Sequence, residues 1–412
     1  MDIKTLVNQL KADESRNNNF LHITANEARL SLTARMFLDS RLSERYYMGR
    51  GIEEVVDLGG FAALSLDSVA DVVDAAVEAT KEMLGASVVN LNVLSGVHAM
   101  MCALLCSTEP GDTVMTVPHE AGGHFATTGI LNRVGRKGIH ATYDLANLKF
   151  DAQKTAEDYH ANNAKAFYMD VSYYINPHNL TELRAALGEE AIIIYDASHT
   201  MGLILGQQFQ APFKEGANII SANTHKTLFG PQKGMVAFRD KESGEKANAI
   251  IDGCLYSSSH THHLIALAIS LLELKEFGQE YAKQVISNSN AAAEAFVKRG
   301  YEVRKANTGR YSETHQAHVF IDDKGERIAA YRTLIANNIS SNFDSPLGGR
   351  LFIRFGTQEL TRRGMKEADM DAIADLVDRA FKGEDVRSEV MEFNLGFTGV
   401  KYSFDQQLGL SE

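Results

Sequence analysis

The residues best suited to chemistry stand at the ends of two short apolar runs. AIIIY (191–195) leads into Asp196-Ala197-Ser198-His199, and further on ANIISANT leads into His225-Lys226-Thr227. Such runs read as β-strands, and in an open α/β sheet ligands collect at the carboxyl ends of strands. Two adjacent strand ends would gather Asp196, His199, His225 and Lys226 around one crevice. Taken singly, Asp196 reads as a helix cap and Lys226 as a solvated surface lysine. Taken together they match a lysine that forms a Schiff base and an acid that pairs with a pyridinium nitrogen, the combination pyridoxal 5'-phosphate requires. The lysine amine condenses with the cofactor's aldehyde. The aspartate keeps the ring nitrogen protonated, so the ring can accept electrons from a substrate Cα. The amine is a nucleophile near neutral pH only if desolvation or neighbouring positive charge lowers its pKa.

A phosphate needs its own site. VVNLNVL (88–94) is followed by Ser95-Gly96-Val97-His98, a strand, a turn and a helix start. Free backbone N–H groups and the dipole at a helix N-terminus suit a phosphate, although Ser-Gly also reads as an ordinary N-cap. Gly122-Gly123-His124 follows the strand-like DTVMTV (112–117); its glycines would let backbone approach a ligand and its histidine could lie on a flat ring, or the segment is a turn with an exposed histidine. Arg354, inside LFIRFG, wants a carboxylate, either from a ligand or from an internal salt bridge. The run Ser257–His263 is histidine-rich but loosely spaced, and reads as a polar loop rather than a metal site.

Elements must position these groups. The near-continuous apolar runs 88–94, 112–117, 164–171, 191–195, 217–221 and 234–238 suit strands covered on both faces, separated by segments long enough for crossover helices. One such helix is Asp71 to Leu84, with Gly85 at its end. The fold class is therefore α/β, an open, mostly parallel, doubly wound sheet. Beyond Lys275 a long helix ends at Gly300, and the strand-like pieces 301–306, 317–322 and 350–356, followed by a helix over 366–382, suggest a smaller α+β domain. The expected division is a helical arm over 1–50, a large domain over 51–285 and a small C-terminal domain over 286–412. Its 412 residues allow two or three domains. The net charge of −12 argues against general affinity for nucleic acid or anionic lipid. Three cysteines, Cys102, Cys106 and Cys254, are no disulfide framework, and Cys102 and Cys106 should share a buried helix face. The polar N-terminus is not a signal peptide and no apolar run is long enough to cross a bilayer, so a cytoplasmic protein is expected.

The segment YDASHTMGL…NTHKTLFGPQKG resembles serine hydroxymethyltransferase and its relatives within the aspartate-aminotransferase-like fold, fold type I. EPGDTV, AGGH and IRFGTQELTRRGM extend the resemblance over most of the chain, and ITANEARLS matches the N-terminal arm loosely. The resemblance implies that Lys226 holds the cofactor, Asp196 pairs with the ring nitrogen and His124 stacks on the ring. Ser172 and His199 would lie near the phenolic oxygen. Ser95, Gly96 and Val97, with His225, would bind phosphate. Arg354 would grip the substrate carboxylate, with Asn26 in place of an arm serine. It also implies a homodimer whose partner arm supplies a tyrosine, for which Tyr46 is the best match and Tyr47 an alternative. The loop around Ser258 lacks the family's glycines for contacting the other subunit's phosphate.

Departures from the family pattern bear on the reaction. A glutamate two residues after the arm tyrosine handles protons in the folate-dependent reaction; with Tyr46 in register that position is Met48, a thioether that does neither proton task. A second register keeps Glu44 but sets Leu42 at the tyrosine. GPQKG, Thr314–Gln316, TRRGMKE and Tyr402–Asp405 look closer to the threonine transaldolase branch, which uses the same cofactor without folate. The expected activity is aldol cleavage and transfer on a β-hydroxy-α-amino acid, with release of one aldehyde and addition of another (transaldolase) or of a proton (aldolase). His124, Glu44 or water is the base. The alternatives are a serine hydroxymethyltransferase, another Cα reaction such as racemisation, and a non-catalytic relative that binds the cofactor.

Overall fold

The computed structural model describes residues 2–47, 49, 66–343 and 347–411. Met48 and the stretch 50–65 lie outside them. Seven strands form the main sheet: β1 (Val88–Asn90), β2 (Thr113–Thr116), β3 (Lys137–His140), β4 (Ala164–Met169), β5 (Ile192–Asp196), β6 (Ile219–Asn223) and β7 (Gly234–Phe238). Their order is β1-β7-β6-β5-β4-β2-β3. Only β7 runs antiparallel to its neighbours within this sheet; the remaining pairs are parallel. Sequence pattern alone did not mark Lys137–His140 as a strand, because it is an edge strand with a polar, mostly exposed composition.

The apolar runs have the physical basis expected of a doubly covered sheet. Along β4 and β5 side chains alternate between two cores. Phe167, Met169, Ile193 and Tyr195 face one, and Ala166, Tyr168 and Ile194 face the other. The second core is closed by α3 (Gly96–Ser107), the first by α2 (Asp67–Leu84) and α4 (Thr261–Lys298); α1 (Ile3–Asn18) buries no residue. Gly85 ends α2 in the left-handed region at φ 68°, as the pattern anticipated. In α3, Cys102 is buried and Cys106 half-buried, and burial pushes their thiols up to about 12 and about 11, which leaves them unreactive.

A smaller antiparallel sheet is ordered β8 (Gln316–Phe320), β10 (Phe352–Gly356), β9 (Asn342–Phe343). The segment 301–306 is not a strand; only Val303 bridges to Val319. The helix anticipated from Lys275 starts earlier, at Thr261, because Leu264, Leu267, Leu271 and Leu274 carry the buried face back through the apolar stretch. The histidine-rich polar loop is correspondingly shorter. Over its 38 residues α4 joins the cores: Val285 and Ile286 belong to the large one, Ala292, Ala293 and Phe296 to the small one, which α5 (Glu367–Phe381) also covers. The proposed division at 285/286 thus falls within a continuous helix. Arg362 and Glu273, both fully buried, pair at 2.5 Å and tie α4 to the segment after β10.

Candidate active site

The carboxyl ends of β5 and β6 lie side by side, so Asp196 and the segment after Asn223 open into one cavity of about 570 Å³. Thr227 fastens the two strand-end segments together. Its hydroxyl donates to His199 O at 2.7 Å and accepts from Gly202 N at 3.1 Å, while Tyr281 donates to its carbonyl at 3.0 Å. A Cβ on Gly202 would stand 2.1 Å from Thr227 O, so only glycine permits this approach. The residue after Leu228, Phe229, is held at φ 54° under the Arg362 guanidinium, 3.8 Å from its ring centroid. That packing fixes the turn that carries Lys226.

Lys226 Nζ lies 3.0 Å from His199 Nε2. With its amide oriented to satisfy both neighbours, Asn223 places its oxygen 3.2 Å from the same amine and its nitrogen 3.2 Å from Ser198 O. Burial, with the positive charges of Lys226 and Arg354 behind it, pushes His199 well below the ordinary imidazole range, so it is neutral. Asp196 accepts at Oδ2 from the Tyr168 and Ser221 hydroxyls and at Oδ1 from Ser198 N at 2.9 Å. These three donors hold its carboxyl group at the cavity wall. Burial, then the neighbouring Asp196 charge, raises the Tyr168 hydroxyl well above its usual range, so it stays a donor.

Arg354 is carried into the site by β10 and is 3% exposed. Its Nη1 donates to Ser172 O at 2.9 Å and its Nη2 to Asn26 Oδ1 at 2.8 Å. Ser95 caps α3, its hydroxyl accepting from His98 N at 3.1 Å; the N–H groups of Gly96 and Val97, in the first turn, have no intrahelical acceptor. A Cβ on Gly96 would meet Asn223 Cβ at 2.8 Å, so the helix start and β6 approach as a cradle. His225 Nδ1 is buried without a hydrogen-bond partner among the described residues, and burial first, then Lys226, lowers this imidazole to about 4. His124 also lines the cavity; its backbone N–H donates to Asp170 Oδ2 at 3.2 Å, and burial lowers its ring below the usual range. The arrangement fits pyridoxal phosphate: an amine beside a neutral imidazole, a hydrogen-bonded acid, N–H donors without an intrahelical acceptor at a helix start and an imidazole nitrogen with no partner among the described residues.

The residues singled out in the sequence divide in two. Asn26, Ser95, Gly96, Val97, His124, Ser172, Asp196, His199, His225, Lys226 and Arg354 all line this cavity. Glu44 and Tyr46 do not: Glu44 is exposed at the end of the turn Arg41–Glu44, and Tyr46 is 46% exposed. Tyr47 is buried elsewhere, its carbonyl accepting from Ser259. Lys233, in the GPQKG segment, is buried with its Nζ donating to Val93 O at 3.1 Å, and burial lowers it to about 7. Sequence reasoning passed over Asp170, Tyr168 and Gln316. Asp170 follows β4, so the strand-end rule that found Asp196 reaches it too; it is buried beside Thr127, and desolvation raises its carboxyl to about 7. Tyr168 sits inside an apolar run, where no local pattern distinguishes a hydrogen-bonding tyrosine from a packing one.

Comparison with known proteins agrees with this geometry. The serine hydroxymethyltransferase family model matches residues 2–377. The fluorothreonine transaldolase of Streptantibioticus cattleyicolor is 36% identical over 379 residues, covering 91% of this chain; the chain spans 59% of that enzyme's length. The serine hydroxymethyltransferase of Methanosphaera stadtmanae is 33% identical over 404 residues, covering 94% of this chain and 92% of its own. Among solved structures, the L-threonine transaldolase from Pseudomonas fluorescens in its internal aldimine state superposes with a TM-score of 0.90 at 28% identity, covering 100% of this chain and 95% of its own. With a family match over most of its length and this fold type I architecture, the chain belongs to the serine hydroxymethyltransferase family of pyridoxal-phosphate-dependent transferases.

Proposed function

We propose that this protein is a folate-independent threonine transaldolase: it takes a β-hydroxy-α-amino acid such as threonine, releases its aldehyde and joins the remaining glycyl unit to a second aldehyde. The observation that carries the reading is the convergence of Lys226, Asp196, His199 and Arg354 on one cavity of a chain that superposes on a threonine transaldolase over its full length. When bound, pyridoxal phosphate supplies an electron sink for the pair released as the Cα–Cβ bond breaks. Lys226 is the amine that would hold it, with Asp196 at its ring nitrogen and the start of α3 with His225 at its phosphate.

Arg354 and Asn26 offer a fork of donors and an amide to the substrate carboxylate. Held there, the amino acid has its Cα–Cβ bond set relative to the cavity wall that His124 forms. The β-hydroxyl must lose a proton as the aldehyde leaves. His124, held neutral in this cavity, can accept it, and bound water is the other base available there. Glu44 does not line this cavity of its own chain, so the proton step proposed here does not use it within one chain. The exposed Tyr46 and Glu44 are also the groups a second copy would meet in a homodimer with shared sites, which is part of this reading.

Incubation of the protein with threonine and a panel of aldehydes, with products identified by mass, tests the proposal. Acetaldehyde released and a new β-hydroxy amino acid formed from the added aldehyde is the expected result. Serine formation from glycine that requires tetrahydrofolate, with no aldehyde exchange, would overturn it in favour of a serine hydroxymethyltransferase.

A further inference from the structure

The contact between Lys226 and His199 continues into the small sheet through Gln316, the fully buried first residue of β8. Gln316 Nε2 lies 3.1 Å from Ser172 O, 3.3 Å from His199 Nδ1 and 3.4 Å from His315 Nε2. Its Oε1 lies 3.1 Å from His318 Nε2. A backbone carbonyl can only accept a hydrogen bond, so Ser172 O fixes which end of the amide is nitrogen. His315 Nε2 faces another carbonyl, Ala25 O, at 3.3 Å, so it carries its own hydrogen and cannot accept a second one. The remaining amide hydrogen goes to His199 Nδ1. A neutral imidazole has one donor and one acceptor nitrogen. With Nδ1 accepting, the hydrogen of His199 sits on Nε2, the atom 3.0 Å from Lys226 Nζ.

We propose that Gln316 is a positioning residue that fixes His199 as the Nε2–H tautomer, so that the imidazole donates toward Lys226 Nζ and the amine turns its lone pair to the ring. Asn223 complements this arrangement, because its oxygen, 3.2 Å from Nζ, takes a hydrogen from the amine and leaves the lone pair for His199. Schiff-base formation needs the amine in its uncharged form, and this pair of contacts is one that form can satisfy. The ring is also held in place from its face: His315 stacks on His199 at 5.6 Å and 20°. His318, stacked on Phe352 at 4.4 Å, anchors the far end of the amide. Gln316 and Arg354 donate to the same Ser172 carbonyl, so the proton beside Lys226 and the guanidinium fork are referenced to one backbone atom.

The function proposed above enters only in what the hydrogen is for; the tautomer belongs to the full chain free of cofactor and is measured there, so failure of one does not imply failure of the other. Long-range 1H–15N correlation spectra, with the His199 resonances identified by their loss in His199→Asn, read which nitrogen is protonated. The wild-type chain is expected to show Nε2–H. In Gln316→Met, Nδ1 loses its donor while Lys226 and, at 3.5 Å, Arg354 Nη1 still face Nε2, so the hydrogen is expected to move to Nδ1. Wild-type protein with the hydrogen on Nδ1, or a folded Gln316→Met that keeps it on Nε2, overturns the proposal. Should Gln316→Met fail to fold, Gln316→Leu makes the same test, and the wild-type spectrum by itself still decides whether His199 is the Nε2–H form.

Discussion

Replacing Arg354 by lysine separates charge from geometry at the proposed carboxylate site. The guanidinium is almost wholly buried and already spans two acceptors, Ser172 O at 2.9 Å and Asn26 Oδ1 at 2.8 Å, with its Cζ 5.4 Å from the centroid of the Tyr173 ring. A planar fork can keep such anchors and still present a parallel pair of N–H groups to a carboxylate; an ammonium is a single point with no second arm. Lysine therefore retains the charge and loses one of two charge-assisted hydrogen bonds. Each is worth about 1.5–3 kcal/mol. At about 1.4 kcal/mol per tenfold, kcat/KM for threonine should fall by about 10- to 150-fold. The assay is acetaldehyde release from threonine, run beside the same measurement on the amino alcohol in which the carboxylate is reduced to CH2OH. The penalty should shrink to within about twofold for that substrate, and cofactor affinity should not change. Arg354→Lys that cleaves threonine like the wild type, or that loses as much on the amino alcohol, would refute the role given to Arg354.

Two further outcomes concern buried charges. Glu273→Ala leaves the fully buried Arg362 without its carboxylate and should cost about 3–5 kcal/mol, read as a lowered urea midpoint, whereas Glu273→Leu with Arg362→Met should recover most of it; a loss under about 1 kcal/mol in the single variant contradicts the pairing. Asp170, raised by burial to about 7, holds its proton more tightly folded than unfolded, so the stability it lends is present below about pH 4 and is lost as pH rises through 7. Wild type should therefore lose thermal stability relative to Asp170→Asn between pH 5 and pH 8, and parallel curves for the two proteins would count against a neutral Asp170.

The strand-end residues were legible because the physics that makes a strand apolar on both faces also ends it at a polar ligand edge. Pattern alone sets Asp196 and Lys226 on neighbouring strand ends and Ser95-Gly96 at a helix start. The segment 301–306 has the alternation of a strand but forms a single bridge, Val303 to Val319. The start of α4 was misplaced because a polar, histidine-rich stretch hid a helix whose first turn is paid for by packing at Leu264 and Leu267. The arm residues Glu44 and Tyr46 carried a family expectation that spacing cannot check, because whether an exposed segment reaches a cavity depends on what else packs there.

Sequence by itself determined the class of fold, the order of the chemistry along the chain and the types of group that meet at the site, since these follow from hydrophobic periodicity and side-chain chemistry. Tertiary structure alone decided which contacts each of those groups makes. The hydrogen on His199 depends on carbonyls at Ser172 and Ala25 and an amide at Gln316, drawn from segments far apart in the chain. Such contacts act over about 3 Å, and no local pattern along the chain encodes a distance between elements that only packing brings together.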